Sequence, residues 1–150
     1  VLGAVYDPVA DEIFYAEKGK GAFLNGVELP IKERVPSLRE AVAEIDLKRL
    51  DEKLAAALAA HPPYSSARNF GASTLDWCYV AAGRFDVYLH GGQKLWDYAA
   101  GSLILTEAGG KMSSLENDDF WIGDVWTRSV VAALHPVVYE AWKAWIEKNK

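Results

Sequence analysis

The chain has 150 residues, is 51% hydrophobic, and carries 16 basic against 21 acidic residues for a formal net charge of −5. That size and apolar content support one compact domain with a core, and the acidic balance argues against a polyanion-binding surface, since the densest basic cluster is only Lys48-Arg49. The single Cys78 rules out an intrachain disulfide and fits a reducing, cytoplasmic setting, and no apolar run reaches membrane-spanning length.

The sequence opens directly on strand-like residues, Val1 to Tyr6, without an initiator Met, and is expected to be part of a longer chain. Residues 1–30 have all-β character. Val5-Tyr6 and Ile13-Phe14-Tyr15 flank a turn at Asp7-Pro8, and Ala22-Phe23-Leu24 runs into a second reversal at Asn25-Gly26. From about residue 37 strands alternate with helices. Ala41–Leu47 alternates as a strand, Asp51–Ala60 is an Ala/Leu-rich helix stopped by His61-Pro62-Pro63, and Ser65–Phe70 is a weaker strand. Ser73-x-x-Asp76 has the form of a capping box opening a helix that Gly83 closes. Asp86–Leu89 reads as a strand, and Asp97 starts a helix ending at Gly109-Gly110. Glu116–Trp126 has no period and reads as a loop, Ser129–Ala133 is a last strand, and Pro136 opens a terminal amphipathic helix. This order implies an α/β layered sandwich preceded by short antiparallel strands, with residues 1–36 belonging to a partner sheet and 37–150 forming the α/β domain.

Several ordered segments carry a resemblance. Leu95-Trp96-Asp97-Tyr98-Ala99-Ala100-Gly101, continuing to Glu107-Ala108-Gly109-Gly110, resembles the W-D-x-A-A-G…E-A-G-G signature of the inositol monophosphatase family. Glu17 to Gly26 is similar to that family's strand-and-turn segment, Arg68-Asn69-Phe70-Gly71-Ala72-Ser73 to its R-x-x-G-[ST]-A element, and Tyr79 to Asp86 to the element that follows. The resemblance runs from Gly3 to the terminal helix. The family's other signature, D-P-x-D-G-T, has no counterpart, because Asp7-Pro8 continues as Val9-Ala10-Asp11-Glu12. The chain is therefore expected to be the C-terminal half of such an enzyme, with the N-terminal metal-binding half missing.

The resemblance implies magnesium-dependent hydrolysis of a small phosphorylated polyol or sugar, by a cytoplasmic enzyme that forms homodimers. It assigns Asp97 as a Mg2+ ligand, no complete catalytic set in this chain, and Gly71, Ala72, Ser73 and His90 as substrate-binding positions. His90 stands where inositol-specific relatives place a Glu, so fructose bisphosphate and 3′-phosphoadenosine phosphates remain alternative substrates. A non-catalytic regulatory or dimerisation module is the rival reading. The residue types suit the chemistry, since paired divalent cations lower the pKa of water and clamp the reacting oxygens, and Mg2+ takes hard oxygen ligands. Each position also has a plainer role. Asp97 taken without its surrounding motif reads as a helix N-cap, Gly71-Ala72 reads equally as a tight turn, and Lys48-Arg49 as a solvated pair or the receptor of a second anionic group. Gly101, which costs a helix about 1 kcal/mol relative to Ala, is expected to mark a close backbone approach. Glu107 reads as structural, and the six Trp residues as core and interface.

Overall fold

A computed structural model describes residues 1–30 and 34–150. The first segment folds into a four-stranded antiparallel sheet of β1 (Leu2–Asp7), β2 (Glu12–Glu17), β3 (Ala22–Leu24) and β4 (Val27–Glu28), paired in chain order. The β3–β4 reversal places Asn25 at φ 48° and Gly26 at φ 82°, the doubly left-handed backbone that a two-residue hairpin loop requires.

The second sheet contains β5 (Val42–Asp46), β6 (Ser66–Arg68), β7 (Val87–Lys94), β8 (Lys111–Ser113) and β9 (Thr127–Ala133) in the order β6-β5-β7-β9-β8. β5 pairs in parallel with β6 and β7, whereas β9 runs antiparallel to β7 and β8. Helix α1 (Glu52–Ala60) connects β5 to β6, α2 (Ser73–Ala81) connects β6 to β7, α3 (Leu95–Glu107) follows β7, and α4 (Pro136–Asn149) ends the chain.

Alternation along the strands divides the apolar side chains between two cores. Ala43, Ile45, Val87 and Leu89 face α1 and α4, where they meet Leu54, Leu58, Trp142 and Ile146. The opposite face, with Tyr88, Val130 and Ala132, packs with α2 and α3 against Phe14, Ala16 and Leu24 of the first sheet. The layer order is antiparallel sheet, α2 and α3, mixed sheet, then α1 and α4.

Polar anchors tie the outer sheet to the central helices. Asp7 accepts from Tyr79 Oη–H at 2.9 Å, and Arg84 forks onto Glu12 at 2.8 and 2.5 Å. Glu107, the last residue of α3, accepts from the N–H groups of Gly19 and Gly21, so it is structural as expected.

Local expectations fail where tertiary contacts prevail. Asp76 is no capping acid: Ala72 is the N-cap of α2 and makes no side-chain cap bond, while Asp76 is buried under the mixed sheet. Helix α3 starts at Leu95 rather than Asp97, so Asp97 is a third-position residue accepting from the Lys94 N–H at 2.9 Å. Strand β7 extends five residues past Leu89, to Lys94. Gly101 faces a side chain rather than another backbone, and a Cβ there would lie 2.3 Å from Cβ of Trp77.

Candidate functional site

The chain leaves β5 in two senses. Through α1 it reaches β6 on one side of β5, and through α2 it returns to β7 on the other, with the two helices on opposite faces. Such a reversal opens a crevice at the carboxyl ends of the parallel strands, the usual ligand position in open α/β sheets. A cavity of about 260 Å³ lies there, lined by Asp46 from β5, Gly71 and Ser73 at the start of α2, His90 and Lys94 from β7, and Asp97 from α3. Arg49, Asn69, Asp76 and Gly92 complete its wall.

Local backbone explains how these groups converge. Gly71 has φ +80°, so the chain can turn sharply from β6 into α2 and present the helix N-terminus, a natural receptor for anionic oxygens, to the cavity. Strand β7 breaks register between His90 and Gln93, a bulge that accommodates Gly91 and Gly92. A Cβ on Gly91 would stand 1.5 Å from the Arg49 carbonyl oxygen, so only glycine lets the turn after β5 lie against β7 and hold Arg49 at the rim.

His90 is oriented from both ring nitrogens. Nδ1 accepts from the Gly92 N–H at 3.1 Å, which leaves the proton on Nε2, 3.5 Å from Asp46 Oδ2. Burial holds its pKa below the ordinary value, against the opposing pull of Asp46. Asp46 and His90 are register partners, and two residues earlier so are Glu44 and Tyr88. All four project towards α2, away from the face that packs on α1 and α4. Lys94 donates from Nζ to Thr127 Oγ1 at 2.8 Å.

Of the positions singled out in the sequence, Gly71, Ser73, His90 and Asp97 line the one cavity, and Ala72 sits between two of them as the N-cap of α2. Arg49, which the sequence offers either as half of a solvated pair or as receptor of a second anionic group, also lines the cavity, whereas Asp46, Asp76 and Lys94 escaped the sequence reading as site residues. The only signal for Asp46 was its place on the same strand face as Glu44. For Mg2+ the donor chemistry fits in part. Asp97 and Asp46 are hard oxygen donors at the cavity, yet among the described residues no three His, Cys, Asp or Glu side chains converge to hold a metal ion. No helix in the described residues is long and apolar enough to cross a membrane.

Comparison with known proteins gives a consistent picture. The sequence model of the inositol monophosphatase family matches residues 1–148. An inositol-1-monophosphatase of Bacillus subtilis is 33% identical over 151 residues, covering 94% of this chain and 55% of the relative. The Nus factor SuhB of Haemophilus influenzae is 38% identical over 149 residues, covering 93% of this chain and 52% of the relative. Among solved structures, the extragenic suppressor protein SuhB of Bartonella henselae superposes with a TM-score of 0.77 at 31% identity, covering 98% of this chain and 58% of that one. Inositol monophosphatase II of Staphylococcus aureus gives a TM-score of 0.83 at 24% identity, covering 98% and 55%, a likeness of fold. The chain thus spans about half the length of the curated relatives it matches.

Proposed function

The chain belongs to the inositol monophosphatase family, and from that premise we propose that it supplies the substrate-side half of a magnesium-dependent phosphomonoesterase acting on a small phosphorylated polyol or sugar. The observation that carries the reading is the meeting of Gly71, Ser73, His90 and Asp97, drawn from three separate segments, in one cavity at the carboxyl ends of the parallel strands. In this reading Asp97 contributes one oxygen ligand to Mg2+, and further ligands come from outside the described residues. Bound there, the cation would supply an acidified water and a counter-charge for the phosphoryl oxygens.

The chain's own residues bind and orient. The N-terminus of α2, with Gly71, Ala72 and Ser73, receives oxygens of the leaving alcohol, and its fixed N–H groups need no reorganisation as charge builds on that oxygen. His90, whose Nδ1 is occupied by Gly92, offers an N–H towards Asp46 and the cavity in place of a carboxylate. That suits recognition of a hydroxyl or phosphate oxygen as an acceptor. The lone Cys78 supports a reducing, cytoplasmic setting. Exposed Leu2, Tyr6 and Val27 on the antiparallel sheet support its burial in an assembly, by the other half of the family fold or by a second copy.

The similarity to proteins named Nus factor SuhB favours one second reading, a regulatory module that acts by binding. Phosphate release separates the two. The 150-residue chain alone should hydrolyse inositol monophosphates no faster than background, whereas the chain combined with the N-terminal half of the Bacillus subtilis relative should release phosphate with saturable Mg2+ dependence. Release that ignores Mg2+, or that survives Asp97→Asn unchanged in the combined protein, would overturn the proposal.

A further inference from the structure

The segment between β8 and β9 carries the same three-residue pattern twice, Asp119-Phe120-Trp121 and Asp124-Val125-Trp126. In each, the Asp Oδ1 accepts from the Trp backbone N–H at 2.9 Å, the side-chain bond by which Asp closes a tight turn. Both turns are fastened inward. Phe120 is buried, Tyr98 Oη–H donates to the Val125 carbonyl, Arg128 Nη2 donates to the Asp124 carbonyl at 3.3 Å, and Lys143 binds Asp118. The Arg128 guanidinium is turned to aromatic rings, 5.4 Å from that of Tyr98, 5.0 Å from Phe120 and 5.7 Å from Trp121.

What this braced segment presents to water is apolar. Trp121, Ile122 and Trp126 are 60%, 57% and 61% exposed. Aromatic groups ordered before contact lose little entropy on binding, and Trp is the residue most enriched at the energetic centres of interfaces. The surroundings are acidic. Residues 116–126 hold four acids and no Lys or Arg, and Asp118 alone of the four is paired with a cation among the described residues. Beside the tryptophans lies a cavity of about 210 Å³, with Glu116 and Asp124 in its wall and Ile122 as an apolar side. Arg128 also borders it, but its guanidinium is 6% exposed as part of that side chain and is engaged by the three rings.

We propose that the Trp121–Trp126 face is a docking surface for a Lys- or Arg-bearing segment of another protein. One basic side chain enters the cavity between Glu116 and Asp124, and its neighbours lie on the two exposed indoles. Charge complementarity selects this occupant. A second copy of the chain is a poor one, because its net charge is −5 and its densest basic cluster is only Lys48-Arg49. A two-fold contact centred here would also set the same acids against each other. Cations are drawn to indole faces, and Arg128 against Trp121 is an instance of that contact within the chain. The surface is separate from the cavity of His90 and Asp97, and its occupancy does not depend on hydrolysis.

The test titrates the whole chain, by calorimetry, with a synthetic peptide of alternating Arg and Leu and with its counterpart in which Glu replaces Arg. The Arg peptide should bind, more weakly as salt is raised, and the Glu peptide should not. Trp121→Ala and Trp126→Ala should each weaken binding about tenfold. Asp119→Asn and Asp124→Asn keep the oxygen that accepts from the Trp N–H and lose only the charge, so each should weaken it about threefold. Glu140→Gln, on the exposed side of α4, should leave it unchanged. No binding of the Arg peptide, equal binding of the Glu peptide, or indifference to the Trp and Asp changes would overturn the proposal. So would loss of binding when the chain dimerises or is combined with the N-terminal half of the Bacillus subtilis relative, either of which would then be the occupant. If a Trp→Ala variant fails to fold, the two Asn variants still decide.

Discussion

Replacing Gly101 by Ala pits a helix-propensity gain against a packing clash, and the structure says which prevails. In an unconstrained helix the change would be worth about 1 kcal/mol in favour of Ala. Here the new methyl would lie 2.3 Å from Cβ and 2.6 Å from Cγ of Trp77. Carbon atoms meet comfortably at about 3.5–4.0 Å, so α2 and α3 must part by about 1 Å or more. Trp77 has no escape, being fully buried and held at its ring nitrogen by Gln93. The nearer contact is also to its Cβ, which moves only with the backbone. Overpacking of this kind costs about 1–3 kcal/mol, and the backbone position of the clash puts it at the upper end. The net loss is then about 2 kcal/mol, a fall in Tm of roughly 4–8 °C for a chain of this size. Thermal melts by circular dichroism measure it, with Gly92→Ala as control. There the added Cβ meets only Thr127 Cγ2 at 3.8 Å, and the change should stay within about 0.5 kcal/mol. A Gly101→Ala protein as stable as its parent would refute the packing argument.

Asp97→Asn should leave the melt almost unaltered, since the amide oxygen can still accept from the Lys94 N–H. In the hydrolytically competent protein it should cut Mg2+ affinity and lower turnover roughly a hundredfold, on the order of 3 kcal/mol, as read by titrating activity with Mg2+. Glu107→Ala should speed hydrogen exchange at the Gly19 and Gly21 amides selectively, because the carboxylate holds both. Gly91→Ala should be badly tolerated, measured as soluble yield and Tm, because its methyl would overlap the Arg49 carbonyl at 1.5 Å. Stability should fall as pH rises from about 5 towards 8. Glu44 at about 7 and Asp76 at about 8 keep protons in the folded state that the unfolded chain has already lost, so their contribution is full below the ordinary carboxylate pKa and disappears as pH passes their folded values. The slope of Tm against pH over this range should flatten in the Glu44→Gln/Asp76→Asn double variant. Asp7 and Glu107 act oppositely at more acid pH, because backbone N–H donors hold their carboxyls low.

Much of the fold was legible because it depends on local rules. Asn25-Gly26 demands a left-handed pair, Pro136 fits a first helical turn, and the alternation in Ala41–Leu47 marks a strand whatever surrounds it. The motif around Asp97 likewise identified one wall of the cavity. Asp76 was misread because Ser73-x-x-Asp76 satisfies a local capping rule while its real partner, Tyr88, lies twelve residues on across a helix–sheet interface. Alternation alone would turn Glu44 to the outward face of a half-exposed strand. Both faces of β5 are in fact covered, so the residue that alternation assigns to solvent is enclosed beneath α2. Lys94 and Arg49 owe their places to the β7 bulge and to the close contact at Gly91, which are tertiary events without a periodic signature.

Helix α3 has a further consequence. It is a continuous rod with Asp97 in its first turn and Glu107 as its last residue, about 15 Å apart at the helical rise. The far end is bolted to the Gly19 and Gly21 amides of a surface hairpin, and the near end forms part of the cavity wall. A stiff strut fixed in this way transmits displacement rather than absorbing it. The placement of the Asp97 carboxylate is therefore calibrated in part by a glycine-rich turn that touches no ligand, and changes to that turn will register at the cavity without altering any residue that lines it.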